Sequence, residues 1–175
     1  MKPPTNLSPY LSSMNNDNRL TKVNIKSLIK NKGSQKFIKI HKKNLKQTVL
    51  GFGGSFTESS ASIYHDLSQT KKDEIIEAYF GETGNNYSMG RTHINSCDFS
   101  LENYAHCETP GDIDLKNFSI SRNKKDLIPF IKDALRLTKN NFRIMASPWS
   151  PPSWMKTNGQ MNEGGKLKEE YKRAW

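Results

Sequence analysis

The chain has 175 residues, 34% of them hydrophobic and 25% charged, with a mean hydropathy of −0.79. That length admits one ordinary domain, and eight Phe, six Tyr and three Trp exclude a simple disordered polymer. The net charge of +10 sits at one end: residues 1–50 hold eleven Lys/Arg against one Asp, whereas residues 51–175 hold sixteen Lys/Arg against sixteen Asp/Glu.

The basic segment does not read as a nucleic-acid surface. Residues 19–46 contain one aromatic, Phe37, so basic side chains are not interleaved with stacking platforms. A solvated basic arm is expected, with an anion-binding module over 19–46 as the alternative. Salt would separate the two, because plain charge attraction falls steeply as salt rises. Cys97 and Cys107 make no disulfide framework, no CxxC occurs, and His41, His65, His93 and His106 are scattered. No metal or cofactor is therefore expected. There is no apolar run of membrane-spanning length, and Met1–Asn6 lacks the apolar core of a leader, which points to a cytoplasmic address.

In chain order, residues 1–18 are polar and Pro-punctuated and read as a loose arm. Leu20–Ile29 fits strand or helix. Phe37–Ile40 alternates as a short strand. Val49–Thr57 reads as a strand interrupted by Gly51, Gly53 and Gly54, which suggests close approach of backbone or ligand. A helix is expected over Ser59–Leu67. A second runs over Gln69–Phe80, with Ser68 as N-cap and Gly81 as stop. Tyr87–Ile94 is strand-like and Asn95–Ser121 is a long irregular stretch, a length more often functional than idle. Arg122–Asn140 reads as a helix with Leu127, Ile128, Ile131, Leu135 and Leu137 on one face. Phe142–Ala146 is a strand, Ser147–Gly165 a loop, and Lys166–Trp175 opens a helix. Alternation of this kind predicts parallel strands joined by crossover helices.

The chemically unusual residues follow the C-terminal ends of the predicted strands. They are Gly51–Glu58, then Arg91 with Ser96–Ser100, then Pro148–Gly159. In an α/β barrel those ends form the active-site face. Trp149, Trp154 and Phe99 are the side-chain types that stack on the C–H faces of sugars, and Asp98 is the type that accepts sugar hydroxyls. The GFGG run is a weak phosphate-loop candidate, because no Lys-Ser/Thr follows it.

These segments resemble the glucosylceramidase group of glycoside hydrolase family 30. GFGGSFTESSA (Gly51–Ala61), SCDFS (Ser96–Ser100) and ASPWSPPSWMKTNG (Ala146–Gly159) are similar to its first three barrel-strand signatures, in order. NFSIS (residues 117–121) fits the same loop, and the likeness covers roughly residues 35–175. It extends more weakly to Tyr10–Leu20. The resemblance implies an α/β fold: a partial (β/α)8 TIM barrel of about three βα units, with an N-terminal strand belonging to a side β-domain. The expected divisions are a basic arm at 1–36, a side-domain strand at 37–48, and the N-terminal part of a TIM-barrel glycosidase domain at 49–175. A closed barrel of this kind takes about 250 residues.

The resemblance further implies retaining hydrolysis of a β-glucosyl bond in a glycolipid or β-glucan. Asp98 would bond glucose hydroxyls, Trp154 would contact the sugar, Phe99 would line the pocket and Arg91 would support it electrostatically. Trp149 is a further substrate-binding candidate, with packing as its other reading. Retaining glycosidases need two carboxylates about 5–5.5 Å apart. In the family the acid/base lies in an Asn-Glu-Pro triplet at the fourth strand and the nucleophile lies at the seventh. No such triplet occurs here, and Asn162-Glu163 is followed by Gly164 before the third helix. No catalytic residue is therefore expected in residues 1–175. The stretch reads as an N-terminal fragment that is inactive alone. The alternative is a non-catalytic sugar-binding or assembly half, completed by a separately encoded C-terminal part.

Overall fold

The structure, a computed structural model, describes residues 8–24, 41, 43–139 and 141–175. The chain forms two compact units, Met1–Thr48 and Val49–Trp175.

In the first unit, β1 (Tyr10–Leu11) pairs antiparallel with β2 (Thr21–Lys22). Polarity predicts a loose arm here, yet one cation organises the connection. The Arg19 Nη1 donates to the carbonyls of Ser13, Asn16 and Asn18 at 2.7–2.9 Å, satisfying turn acceptors that lie outside the ladder. The expected strand at Phe37–Ile40 lies outside the described residues.

The second unit is a three-stranded parallel sheet covered on one face by helices. β3 (Gly53–Phe56), β4 (Met89–Ile94) and β5 (Arg143–Pro148) lie in that order. Ser55 pairs with Arg91 and Arg91 with Met145; Phe56 pairs with Thr92, and His93 with Ser147. Directly paired residues share a face. One face therefore carries Phe56, Thr92 and Ala146. The other carries Ser55, Arg91 and Met145, with His93 and Ser147 further along. This parallel α/β arrangement is that of a partial TIM barrel.

Three helices pack on the Phe56 face. α1 (Glu58–Asp66) starts at Thr57, whose hydroxyl accepts from the Ser60 N–H at 3.3 Å. α2 (Gln69–Phe80) starts at the expected Ser68, whose hydroxyl accepts from the Lys71 N–H. It ends at Gly81, whose N–H bonds the Glu77 carbonyl. α3 (Leu127–Leu137) begins five residues later than expected. Pro129 explains the delay: its ring would collide with the carbonyl four residues back, at Lys125. The chain therefore makes a separate 3₁₀ turn at Arg122–Lys124 and restarts, with Pro129 in the first helical turn. The face α3 buries is Leu127, Phe130 and Ala134, with Ile131 and Leu135 against its edge. Leu137, expected on that face, is exposed, and Phe130, three residues after Leu127, is buried in its stead.

The helix expected from Lys166 is one 3₁₀ turn, Glu169–Tyr171. Residues 166–168 are taken up elsewhere: Thr157 N–H donates to the Lys166 carbonyl, Lys168 N–H to the Met155 carbonyl, and Leu167 bridges Lys156. Among the described residues no helix is long and apolar enough to cross a membrane.

Phe56 is the centre of the core. Its ring stacks on Phe80 at 5.7 Å and meets Phe130 and Phe142 edge-on at 5.0 and 6.0 Å. Phe80 and Phe142 close the set at 5.5 Å. Two glycines make this possible. A Cβ on Gly90 would lie 2.6 Å from the Phe56 ring and 2.8 Å from that of Phe142. A Cβ on Gly53 would lie 1.7 Å from the Met89 carbonyl oxygen, so the close approach read from the glycine run is to neighbouring backbone.

Gly90→Ala should therefore overpack the core and cost about 1–3 kcal/mol, read as a lower urea midpoint at unchanged slope. Stability within a few tenths of a kcal/mol of the parent would contradict the packing.

Candidate functional site

The candidate site is built where β3, β4 and β5 end. Residues 95–121 follow β4 and residues 149–168 follow β5. Both are irregular, so their backbone groups need partners that no ladder supplies.

Glu58 anchors the first of these loops. It is buried, and its Oε2 accepts from the Leu101 N–H at 2.9 Å. Its Oε1 accepts from Arg122 Nε at 2.6 Å, while Arg122 Nη1 donates to Glu102 at 2.6 Å. The Arg122 guanidinium lies over the Tyr104 ring at 4.2 Å. Burial, followed by the Glu58 charge, pushes the Tyr104 phenol up to about 12. The Ser59 N–H and hydroxyl both donate to the Phe99 carbonyl, at 3.0 and 2.8 Å. The start of α1, with its unpaired N–H groups, thus grips Phe99–Leu101. Glu58 holds structure here.

Asn95 ties the two loops together. It sits at φ 61°, a left-handed conformation that Asn tolerates better than most residues. Its Nδ2 donates to the Ser150 carbonyl at 2.9 Å and its Oδ1 accepts from the His106 N–H at 2.9 Å. His106 is buried, and its Nδ1 lies 3.2 Å from the Ser119 carbonyl oxygen. Trp154 adds a second link, donating from Nε1 to the Cys107 carbonyl at 3.0 Å and meeting Tyr171 edge-on at 4.9 Å.

These anchors leave a cleft of about 300 Å³ at the strand ends. Arg91, His93, Thr57, Cys97, Phe99 and Trp149 line it. Arg91 Nε donates to Ser147 Oγ at 2.9 Å, and its guanidinium lies 4.6 Å from the Trp149 ring centre, within cation–π range. Trp149 and Phe99 keep 42% and 65% of their surfaces exposed. Asp98 is exposed and lines an adjoining cleft of about 740 Å³ that also reaches Trp149.

Of the five sequence-derived site residues, Arg91, Phe99 and Trp149 share one cleft and Asp98 stands beside it. Trp154 lines a different hollow, with Asn103, Glu108 and Gln160. His93 also lines this cleft, although along the sequence it is one of four scattered histidines. Its signal was the alternation Met89, Arg91, His93, which puts it on the Arg91 face. Among the described residues no three His, Cys, Asp or Glu side chains converge as a metal site.

Two outcomes follow from the anchors. Glu58→Gln should loosen residues 95–121, costing about 1–3 kcal/mol and speeding proteolysis within that loop. Unchanged cleavage would count against the anchor. Burial holds the His106 pKa below its usual value. Above about pH 6.5 the ring is neutral in folded and unfolded chains alike. As pH falls below that value the unfolded chain takes up a proton that the folded chain resists, so stability falls. His106→Gln should flatten that acid limb in urea unfolding at pH 7, 6 and 5. An equally steep fall would contradict the assignment.

Residues 49–175 match the glycosyl hydrolase family 30 TIM-barrel domain. The mouse lysosomal acid glucosylceramidase is 39% identical over 123 residues, covering 70% of this chain and 24% of that protein. The crystal structure of SrfJ from Salmonella typhimurium superposes with a TM-score of 0.67 at 46% identity, covering 71% of this chain and 28% of that one. An endo-β1,6-glucanase structure superposes with a TM-score of 0.62 at 28% identity, covering 71% and 29%. The chain therefore spans less than a third of the length of each of these relatives. With the family domain matched over most of the chain, this chain belongs to glycosyl hydrolase family 30.

Proposed function

We propose that residues 49–175 form the sugar-contacting part of a retaining β-glycosidase site that takes a β-glucosyl group from a glycolipid or a β-glucan. The observation that carries this reading is the Trp149–Arg91 pair in the cleft at the strand ends. Arg91 covers part of the indole and leaves it partly exposed, so a sugar ring can lay its C–H face there. Phe99 extends the apolar wall and Asp98, at the margin, is placed to accept hydroxyls. Trp149 takes the stacking role. Trp154, whose N–H is held by the Cys107 carbonyl, shapes the loop beneath.

These residues bind and orient; they do not transfer protons or attack. Glu58 is spent on Leu101 and Arg122, and no Asn-Glu-Pro triplet occurs in residues 1–175. The two carboxylates of the reaction would come from other parts of a complete barrel. A second reading, that a complementary half supplies them, is favoured by an apolar hollow of about 440 Å³ beside β3. Ile63, Leu67, Ile75 and Tyr79 line it, a surface suited to a further packed element.

The test is a titration of the ¹⁵N-labelled chain with methyl β-D-glucoside, following the three indole N–H signals. The Trp149 signal should shift saturably, and Trp149→Ala should weaken binding by about tenfold, ~1.4 kcal/mol. A saturable shift at Trp154 with Trp149 unmoved would reverse their roles. No shift at any indole would remove the sugar-binding reading.

A further inference from the structure

His93 is the buried polar residue of the cleft whose hydrogen bonding is left half finished. It projects from the central strand on the Arg91 face, level with Ser147, and is only 5% exposed. Its Nδ1 lies 2.6 Å from the Asn95 carbonyl oxygen, with the Tyr104 hydroxyl 3.5 Å from the same nitrogen. A carbonyl can only accept, so Nδ1 carries the hydrogen, and in the neutral ring Nε2 is a lone-pair acceptor. That Nε2 is buried and has no hydrogen-bond partner among the described residues.

The neighbouring rim groups differ. Asn95 uses both ends of its amide, Glu58 uses both oxygens, and His106 engages a carbonyl. Thr92 Oγ1 is also unpaired and Thr92 lines the same cleft, but its hydroxyl can rotate to donate or accept, whereas His93 Nε2 has its position and its acceptor character fixed by the bond at Nδ1. An acceptor left unpaired in a buried position is destabilising. In a residue that lines a cleft it marks a place for a donor that arrives with a ligand.

We propose that His93 is a specificity-determining residue of the sugar site, with Nε2 accepting a hydrogen bond from a ring hydroxyl of a sugar seated against Trp149. This rests on the sugar-binding reading of the same cleft. Asn95 matters twice: its side chain joins the loops, and its carbonyl fixes the tautomer that makes His93 an acceptor. The chemistry required of the ligand is an uncharged donor, which a sugar hydroxyl supplies and an alkyl chain does not.

The experiment is long-range ¹H–¹⁵N spectroscopy of the His93 ring in the 175-residue chain, during the same methyl β-D-glucoside titration. Nε2 should begin as an unprotonated, acceptor-type nitrogen. It should move upfield as sugar binds, with the midpoint of the Trp149 shift. His93→Phe should weaken binding by about three- to tenfold, and His93→Gln, which keeps an acceptor near the Nε2 position, should recover most of it. A saturable Trp149 shift with the Nε2 resonance unmoved would overturn the proposal and leave the sugar site standing. Silence at both residues would overturn both. If His93→Phe does not fold, the Nε2 shift in the parent chain decides the matter.

Discussion

The absence of a side chain at Gly90 is the constraint on which the barrel portion rests. It lets the Phe56 and Phe142 rings meet over the central strand, where a single Cβ would stand 2.6–2.8 Å from both. Phe56 can then reach Phe80 of α2 and Phe130 of α3, and Tyr64 of α1 stacks on Phe130 at 4.4 Å. All three helices are thereby drawn to one face of the sheet. The strict two-residue alternation of a strand then sends Arg91 and His93 to the other face. The core and the cleft are consequences of the same geometry, read from opposite sides of β4.

The rim is built on a different principle. Its loops bury Tyr104, Cys107 and Met155, and polar side chains hold them at their roots. Glu58, at the start of α1, receives Leu101 and Arg122; Asn95, at the end of β4, receives His106 and reaches Ser150. Each is a buried group bonded through both of its polar side-chain atoms, a condition under which a polar network fixes one geometry. The carboxylate in the first rim motif is thus committed to shape. What remains at the strand ends is a partly exposed indole, a guanidinium held by Ser147, the exposed Asp98 carboxylate and one unpaired imidazole nitrogen, a set suited to recognition.

Much of this was legible in the residues. Strand–helix alternation gave the parallel sheet, the Ser68 cap and Gly81 stop bounded α2, and three motifs at strand ends located the rim. The sequence signal failed where distance along the chain hides contact. Phe130 is three residues on from Leu127, so helical spacing accounts for its burial, but not for its contact with Phe56, 74 positions earlier in the numbering. Pro129 splits the expected long helix through a clash that reading the apolar pattern alone overlooks. The reach of Asn95 to both loops, and the separation of Trp149 from Trp154, depend on how two irregular segments fold back, for which local propensity carries no information. His93 was readable from its alternation with Arg91, but one histidine among four scattered ones carries no weight until its partners are known.

The central claim is that these strand ends recognise a sugar without themselves cleaving its glycosidic bond. The most direct measurement is hydrolysis of 4-methylumbelliferyl β-D-glucoside by the purified 175-residue chain, at concentrations that saturate the Trp149 site. The account predicts a rate indistinguishable from buffer. Turnover above buffer by the pure chain would contradict it, because residues 1–175 would then supply the bond-cleaving groups themselves.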